Sequence, residues 1–505
     1  MTIPTIQEKA LAKSIIIIGA GMGGLAAGCY GRMNGYDTQI FEMHTSPGGQ
    51  CTSWNRKGYT FDICIHHFFG ASPESKIYRI WKVLGAMPRE MVCPDECVGV
   101  SSTDGKLFRD YYDLNRLEDH LLQLSPSDSN VIREYINAIK LFSGKDVMGQ
   151  MMMGSIWSVL GSVGSRPQRL RYFTLSMKKF AQRFSDPFLR RAFPLLIYSD
   201  PNSPIYFHLQ RHAYGIDNVL QWPIGGAHGL AASIEKRYIE LGGRVHYRSK
   251  VEKILVENDK AVGIKLTDGS EYRADTVISN ADGRKTIMEM LEGKYVDAKT
   301  RVYCKEPEDE ANWAVHVFLG VNRDLSNEPS SLVMLLDEPV TIANHKNESL
   351  EMQMYGFDRT FAPQGKGVIK AELVSSYSYW KQLYADKSKY KAEKQKVAEQ
   401  VIDILEKRFT GIRGQIEVID VPTPMTWERY LNETHGWRNF PNKKFSFTGA
   451  IGARGGQSTL PGLGNFYFAG AWATMLGALF GNALSGRNAI RTICRKDGGK
   501  FAVVE

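Results

Sequence analysis

The apolar positions of this chain change period several times, and each change marks an element. Ser14 to Ile18 places four isoleucines in a row. A short β-branched run with no polar break predicts a strand buried on both faces, as in the middle of a parallel sheet. Gly19-Ala20-Gly21-Met22-Gly23-Gly24 follows at once, and small residues continue through Leu25, Ala26, Ala27 and Gly28. This is strand, tight turn, helix. A second apolar strand, Asp37 to Phe41, stops at the acid Glu42 and Met43.

Beyond Pro47-Gly48-Gly49-Gln50-Cys51 and Phe61-Asp62 the pattern changes. Helical spacing of apolar residues appears at 76–84 and 131–142. A Met-rich run from Met148 to Leu160 and a basic segment from Arg166 to Arg191, interleaved with Leu170, Phe173, Phe180, Phe184 and Phe188, come next. Apolar residues beside concentrated Lys and Arg suggest an element lying on a membrane surface; a solvated helix face over an ordinary core reads equally well. From Pro223 the chain turns back to glycine turns and short strands, with Asn258-Asp259-Lys260 and Asp268-Gly269-Ser270 as turns and the apolar strand 276–279 ending at a polar loop. A mixed region with a charged helix near 391–409 follows. The tail again reads strand, glycine turn, helix, through Phe468, Ala469, Gly470, Ala471 and Trp472.

Length and charge narrow the classes. At 505 residues two intertwined domains are expected, and 43% hydrophobic residues with a mean hydropathy of −0.28 describe a soluble globular chain. A formal charge of +9 is modest for this length, and no zinc-finger or RNA-binding aromatic pattern accompanies it, so no nucleic-acid partner is expected. Seven scattered cysteines point to reduced thiols in a cytoplasm-like compartment, and the spacing of Cys93 and Cys97 is neither the redox nor the zinc motif. No metal is expected. The first apolar run is too short for a signal peptide, and no apolar run approaches twenty residues.

The chemistry-bearing pattern is the opening one. G-x-G-x-x-G between a strand and a helix, with an acid about twenty residues on, is the dinucleotide fingerprint. Gly19 makes the turn, Gly21 lets backbone approach a pyrophosphate, and Gly24 and Gly28 let the helix pack closely. The helix N-terminus offers free N–H groups to phosphate, and Glu42 can accept from a ribose diol. A plain glycine turn with a surface acid is the bland alternative.

Taken in order, Gly19–Gly24 with Glu42, Pro47-Gly48-Gly49, Phe61-Asp62, Pro223-Ile224-Gly225-Gly226, Ser279-Asn280-Ala281-Asp282 and Phe468-Ala469-Gly470-Ala471-Trp472 resemble the FAD-dependent phytoene desaturase, carotenoid isomerase and retinol saturase group. The resemblance implies an α/β fold: a Rossmann-like FAD-binding domain of the glutathione reductase type, with an interleaved α+β substrate domain. The FAD domain would take 10–75, 221–290 and 441–497; the substrate domain, with a helical, membrane-facing lid, would take 76–220 and 291–440. The resemblance also assigns roles. Gly48, Gly49, Gln50 and Cys51 would line the phosphates and ribityl chain, although Gln50 stands where many members carry Arg. Val251 would touch adenine, and Gly470 and Ala471 would close over the pyrophosphate. Ala478, Leu479 and Phe480 would open a helix facing the flavin, whose reduced form carries negative charge that a helix N-terminus stabilises.

One dinucleotide fingerprint is present and no second, so hydride is expected to pass directly between substrate and flavin, with a quinone, oxygen or another protein completing the cycle. The expected substrate is an apolar polyene or isoprenoid lipid; desaturation, saturation and cis–trans isomerisation all fit. Two rivals share the fold: a flavin amine oxidase, and a non-catalytic prenyl-lipid escort. The candidate catalytic group is His66, which has an ordinary pKa near neutrality and follows Phe61-Asp62. If its segment is a strand, His67 points the other way. A peripheral position on a membrane from the cytoplasmic side completes the expectation.

Overall fold

The computed structural model describes residues 12–144, 146, 149, 167–197, 201–304, 313–434, 458–474 and 478–504. The Met-rich run 148–160, apart from Gly149, lies outside these residues, as do Arg166 and 475–477.

The first sheet is parallel and five-stranded. It is built from β1 (Ser14–Ile18), β2 (Asp37–Phe41), β3 (Arg244–His246), β4 (Thr276–Ser279) and β5 (Phe466–Phe468), in the order β3-β2-β1-β4-β5. Its strands come from three distant parts of the chain. The isoleucines of β1 are 0–4% exposed, as a central strand covered on both faces requires. Helix α1 (Met22–Met33) leaves the end of β1, and α2 (Gly226–Glu240) and α3 (Leu479–Lys496) pack beside it. Close approach depends on absent side chains: a Cβ on Gly28 would lie 2.8 Å from the Tyr238 ring, and one on Gly486 would lie 2.8 Å from the Ala27 nitrogen.

The second sheet has seven strands, in the order Ile416–Asp420, Trp313–Val321, Gly367–Ser375, His345–Met354, Ser331–Ile342, Glu96–Ser101 and Leu107–Tyr111. All neighbours are antiparallel except Ser331–Ile342 with Glu96–Ser101. Side chains alternate across a strand. Val315, Val317, Leu350, Met352, Ile369 and Ala371 therefore share one face, buried in one cluster with Trp380, Val401 and Leu405 of the covering helices Tyr377–Tyr384 and Lys387–Arg408. The opposite face carries His316, Phe318, Glu351, Gln353, Lys370 and Glu372.

A helical layer completes the molecule, with Leu114–Leu124, Ser129–Phe142 and Ile205–Ile216 around a core of aromatic rings. The basic segment belongs to this layer. Of its interleaved apolar residues, Phe180, Phe184, Phe188 and Leu189 are buried in that core, whereas Leu170 is 56% exposed. Over 167–197 the interleaving is thus mostly ordinary core packing beneath a charged surface. Among the described residues no helix is long and apolar enough to cross a membrane.

Candidate functional site

Three turns converge where β1 and β4 end. Gly48 pairs with Gly21 as an isolated bridge, and the Gly48 N–H donates to the Ala20 carbonyl at 2.9 Å. Gly470 has a φ of +77° and closes from the other side. Asn280, the residue after β4, sits among them. A Cβ on Gly21 would lie 2.7 Å from Asn280 Nδ2, and one on Gly23 would lie 2.5 Å from the Gly470 nitrogen. Gly24 is needed for a different contact, since its Cβ would collide with the Gly19 carbonyl. The result is a cradle of bare backbone that side chains would fill. It opens on a cavity of about 2180 Å³, well beyond the roughly 300–1,000 Å³ of a single drug-sized ligand site.

Of the residues singled out in the sequence, Gly19, Gly21, Met22, Gly23, Glu42, Met43, Gly48, Gly49, Gln50, Cys51, His66, Val251, Gly470, Ala471, Ala478, Leu479 and Phe480 all line this cavity. Ala20 and Gly24 stand behind the wall. Ala20 donates its N–H to Glu42 Oε2 at 2.7 Å, and His44 donates its own to Oε1 at 2.8 Å. The Glu42 carboxylate is thereby aimed into the cavity although it is only 8% exposed, and each oxygen keeps a lone pair for a ligand hydroxyl. The Gly470 N–H is taken by Ser485 Oγ at 2.7 Å, so its contribution to the cradle is the space left by its missing side chain. Gln50 donates to Glu433, whose carboxyl is pushed up to about 8 by burial and by Asp282. Cys51 donates its thiol to the Ala227 carbonyl at 3.3 Å; hydrogen bonding with Cys64 and burial push that thiol well up, so it stays protonated.

Two helix N-termini face the same space. Neither Gly21, before α1, nor Ala478, before α3, makes a side-chain cap bond. Among the described residues no N-cap side chain covers the first turn of either helix, and both ends favour negative charge. Glycine cradle, Glu42 and the two open helix ends are the donor and acceptor set that a flavin dinucleotide requires: pyrophosphate at the first helix, ribose at Glu42, and the electron-rich ring at the second.

The far wall of the cavity is the polar face of the seven-stranded sheet. Residues 66 and 67 are not in a strand; they lie in an irregular turn before Phe68–Phe69, and both line the cavity rather than pointing apart. The Tyr355 hydroxyl donates to Gln353 Oε1 at 2.7 Å, so the Gln353 amide nitrogen donates to His66 Nδ1, also at 2.7 Å. His66 therefore carries its proton on Nε2, 3.3 Å from Glu372 Oε1. Burial lowers its pKa to about 4, against an upward pull from Glu372. At neutral pH His66 is a neutral ring with both nitrogens engaged, unlike the half-protonated group its ordinary pKa suggests. Glu372 is buried, which works upward, but Lys370 Nζ at 2.7 Å and the neighbouring imidazoles hold it well below the usual carboxylate range. His67 accepts from Arg211.

Residues 22–494 match the flavin-containing amine oxidoreductases. The chain belongs to that family. This flavoprotein is an FAD-dependent oxidoreductase with the family's Rossmann-like fold. It is 24% identical to the chloroplastic prolycopene isomerase of Arabidopsis thaliana over 83% of its own length and 73% of the relative's. It is 26% identical to the 4,4'-diapophytoene desaturase of a Methylomonas species, over 82% and 83% of the two chains. An oxidoreductase from Methanosarcina mazei superposes with a TM-score of 0.59 at 19% identity, over 95% of this chain and all of the other.

The sequence reading missed Asn280 as a cradle residue, although its position at the end of an apolar strand was a usable signal. It also missed Glu351 and Glu372, which strand pairing alone brings together, and Arg211, which the helix Ile205–Ile216 carries to the same cavity; no local motif marks any of the three. For the cofactor site, Glu42→Ala should weaken FAD retention about 10- to 150-fold, since a hydrogen bond to a charged acceptor is worth about 1.5–3 kcal/mol. Dissociation constants from FAD titration of the stripped native and variant chains check this, and equal constants would remove Glu42 from the ribose.

Proposed function

We propose that this flavoprotein adds, removes or rearranges hydrogens at carbon–carbon double bonds of an apolar polyene or isoprenoid lipid. The observation that carries the reading is one continuous cavity, from the glycine cradle to a wall that includes Phe68, Trp81, Leu195, Leu196, Phe207 and Leu220. The relatives named for prolycopene and diapophytoene align across more than four fifths of this chain and support the same substrate class. FAD, when bound, supplies hydride acceptance and donation. The chain does the rest. Gly21, Gly23 and Gly48 would admit its pyrophosphate, Glu42 its ribose, and the N-terminus of α3 the pyrimidine edge of its ring. Phe69 packs on Phe480 with ring centroids 5.0 Å apart, which joins the His66 turn to the start of α3 and would hold the substrate wall against the ring. Aromatic and aliphatic walls exclude water from the reacting carbons. His66 faces this space as a neutral hydrogen-bonding ring, positioned by Gln353 and Glu372. Amine oxidation is the alternative offered by the wider family.

Anaerobic incubation of the flavin-loaded chain with polyenes and with amines, read by bleaching of the flavin band and by chromatography of products, separates the two readings. Polyene conversion with no response to amines is expected, and the reverse would overturn the proposal. In His66→Ala, flavin binding should persist while polyene turnover falls about 10-fold, the loss expected for one positioned hydrogen-bonding ring worth about 1.4 kcal/mol.

We also propose a peripheral membrane position on the cytoplasmic side. Supporting it, Lys178, Lys179, Arg190 and Arg191 are exposed on two short helices of the helical layer, with Leu170 exposed nearby in sequence. Each cation near an anionic surface contributes about 1 kcal/mol, screened by salt. The chain should float with anionic vesicles at low salt and leave them at high salt; failure to float at low salt would contradict this.

A further inference from the structure

The polar tier on the second sheet poses a problem for a pure hydrocarbon. In the antiparallel pairing of His345–Met354 with Gly367–Ser375, Glu351 stands directly opposite Glu372, and across the next strand His316 stands opposite Glu372 as well. The three side chains share one row on the cavity face, and Lys370 and Gln353 form the next. Two carboxylates directly opposite one another repel when both are ionised. The competition here is decided by Lys370, which is 0% exposed and lies 2.7 Å from Glu372. Glu372 takes the charge and Glu351 keeps its proton; burial and the Glu372 charge push Glu351 up to about 8.

Glu351 also has unused hydrogen-bonding capacity. Its carboxyl makes no hydrogen bond or ion pair among the described residues, yet it is partly open and lines the cavity. Gln353, His66 and Lys370 are committed to one another and to Glu372. A protonated carboxyl that faces a ligand space is a donor awaiting an acceptor. A hydrocarbon packed there would strip water from Glu351, from His66 (34% exposed) and from Glu372 without returning a hydrogen bond.

Resting on the polyene reading above, we propose that the substrate is an oxygen-bearing polyene or isoprenoid whose hydroxyl or carbonyl oxygen accepts a hydrogen bond from the Glu351 carboxyl, with its hydrocarbon chain lying along the aromatic and aliphatic wall. A hydroxyl head also donates, and Glu372 beside Glu351 is an acceptor for it. The tier is thus a head-group site built by strand register, and it selects against the same chain lacking oxygen. A site made to bond a hydroxyl rejects the analogue without one more strongly than an apolar pocket rejects an extra methylene.

Three C20 probes that share one chain test this: geranylgeraniol, the hydrocarbon with its hydroxyl replaced by hydrogen, and geranylgeranylamine. Equilibrium dialysis in dilute detergent gives their affinities for the flavin-loaded native chain, for Glu351→Ala and for the conservative Glu351→Gln. The alcohol should bind at least about 10-fold more tightly than the hydrocarbon. Glu351→Ala should abolish that preference, weakening the alcohol and not the hydrocarbon, with FAD content unchanged, and Glu351→Gln, which still donates, should restore part of it. Equal affinity for alcohol and hydrocarbon would overturn the head-group site while leaving the polyene reading standing. Tightest binding of the amine would overturn it by making Glu351 the partner of an ammonium ion. Loss of FAD from both Glu351 variants would place the residue on the cofactor instead, and absence of binding by all three probes would overturn this proposal and the polyene reading together.

Discussion

The first and last glycine turns close on Asn280 with no room for a Cβ, the Gly48 turn is bridged to the first, and the rest of the molecule is arranged to permit that approach. Gly21 and Gly48 are bridged backbone to backbone, while Gly23 meets Gly470 across the Asn280 amide. The turns come from chain positions more than four hundred residues apart, so the five-stranded sheet must gather β1, β4 and β5 side by side before the cradle exists. The close packing of α3 on α1, permitted by Gly486, brings the second open helix end to the same cavity. Cofactor geometry and domain folding are therefore one event: a slip in the order of that sheet would separate the turns.

The second sheet solves a different problem with strand alternation. One face of its central strands is wholly aliphatic and buried under two helices; the other carries acid, base, amide and imidazole in two rows. Such a face is expensive to bury unless its members satisfy one another. Lys370 with Glu372, and Tyr355 with Gln353 and His66, do so. This network locks the turn that carries His66 to the sheet from both ring nitrogens, and burial keeps that ring neutral against the pull of Glu372.

Legibility in the sequence followed locality. The dinucleotide fingerprint is contiguous, so β1, the turn, α1 and Glu42 could be read from one stretch, and the order of the later glycine motifs fixed the family. Asn280 was visible as part of a motif, but its placement inside the cradle depends on β4 lying beside β1. Glu351 and Glu372 lie on strands whose alternation is masked by charged residues on the cavity side, and only register shows that they are opposed. The interleaved aromatics of the basic segment have the composition of a membrane-surface element, but Phe180, Phe184 and Phe188 are drawn into the core of the helical layer. Composition reports which residues are near one another in sequence; it does not report which face is covered.

The claim on which everything else depends is that the glycine cradle is the seat of one flavin dinucleotide. Calorimetric titration of the flavin-stripped chain with FAD, alongside the visible spectrum, tests it most directly. The account predicts saturation at one FAD per chain with the two flavin absorbance bands, and loss of that uptake when a side chain is introduced at Gly21 in a variant that keeps its far-ultraviolet circular dichroism. A stripped native chain that takes up no FAD, or a folded Gly21→Val variant that binds it as tightly as the native chain, would contradict it.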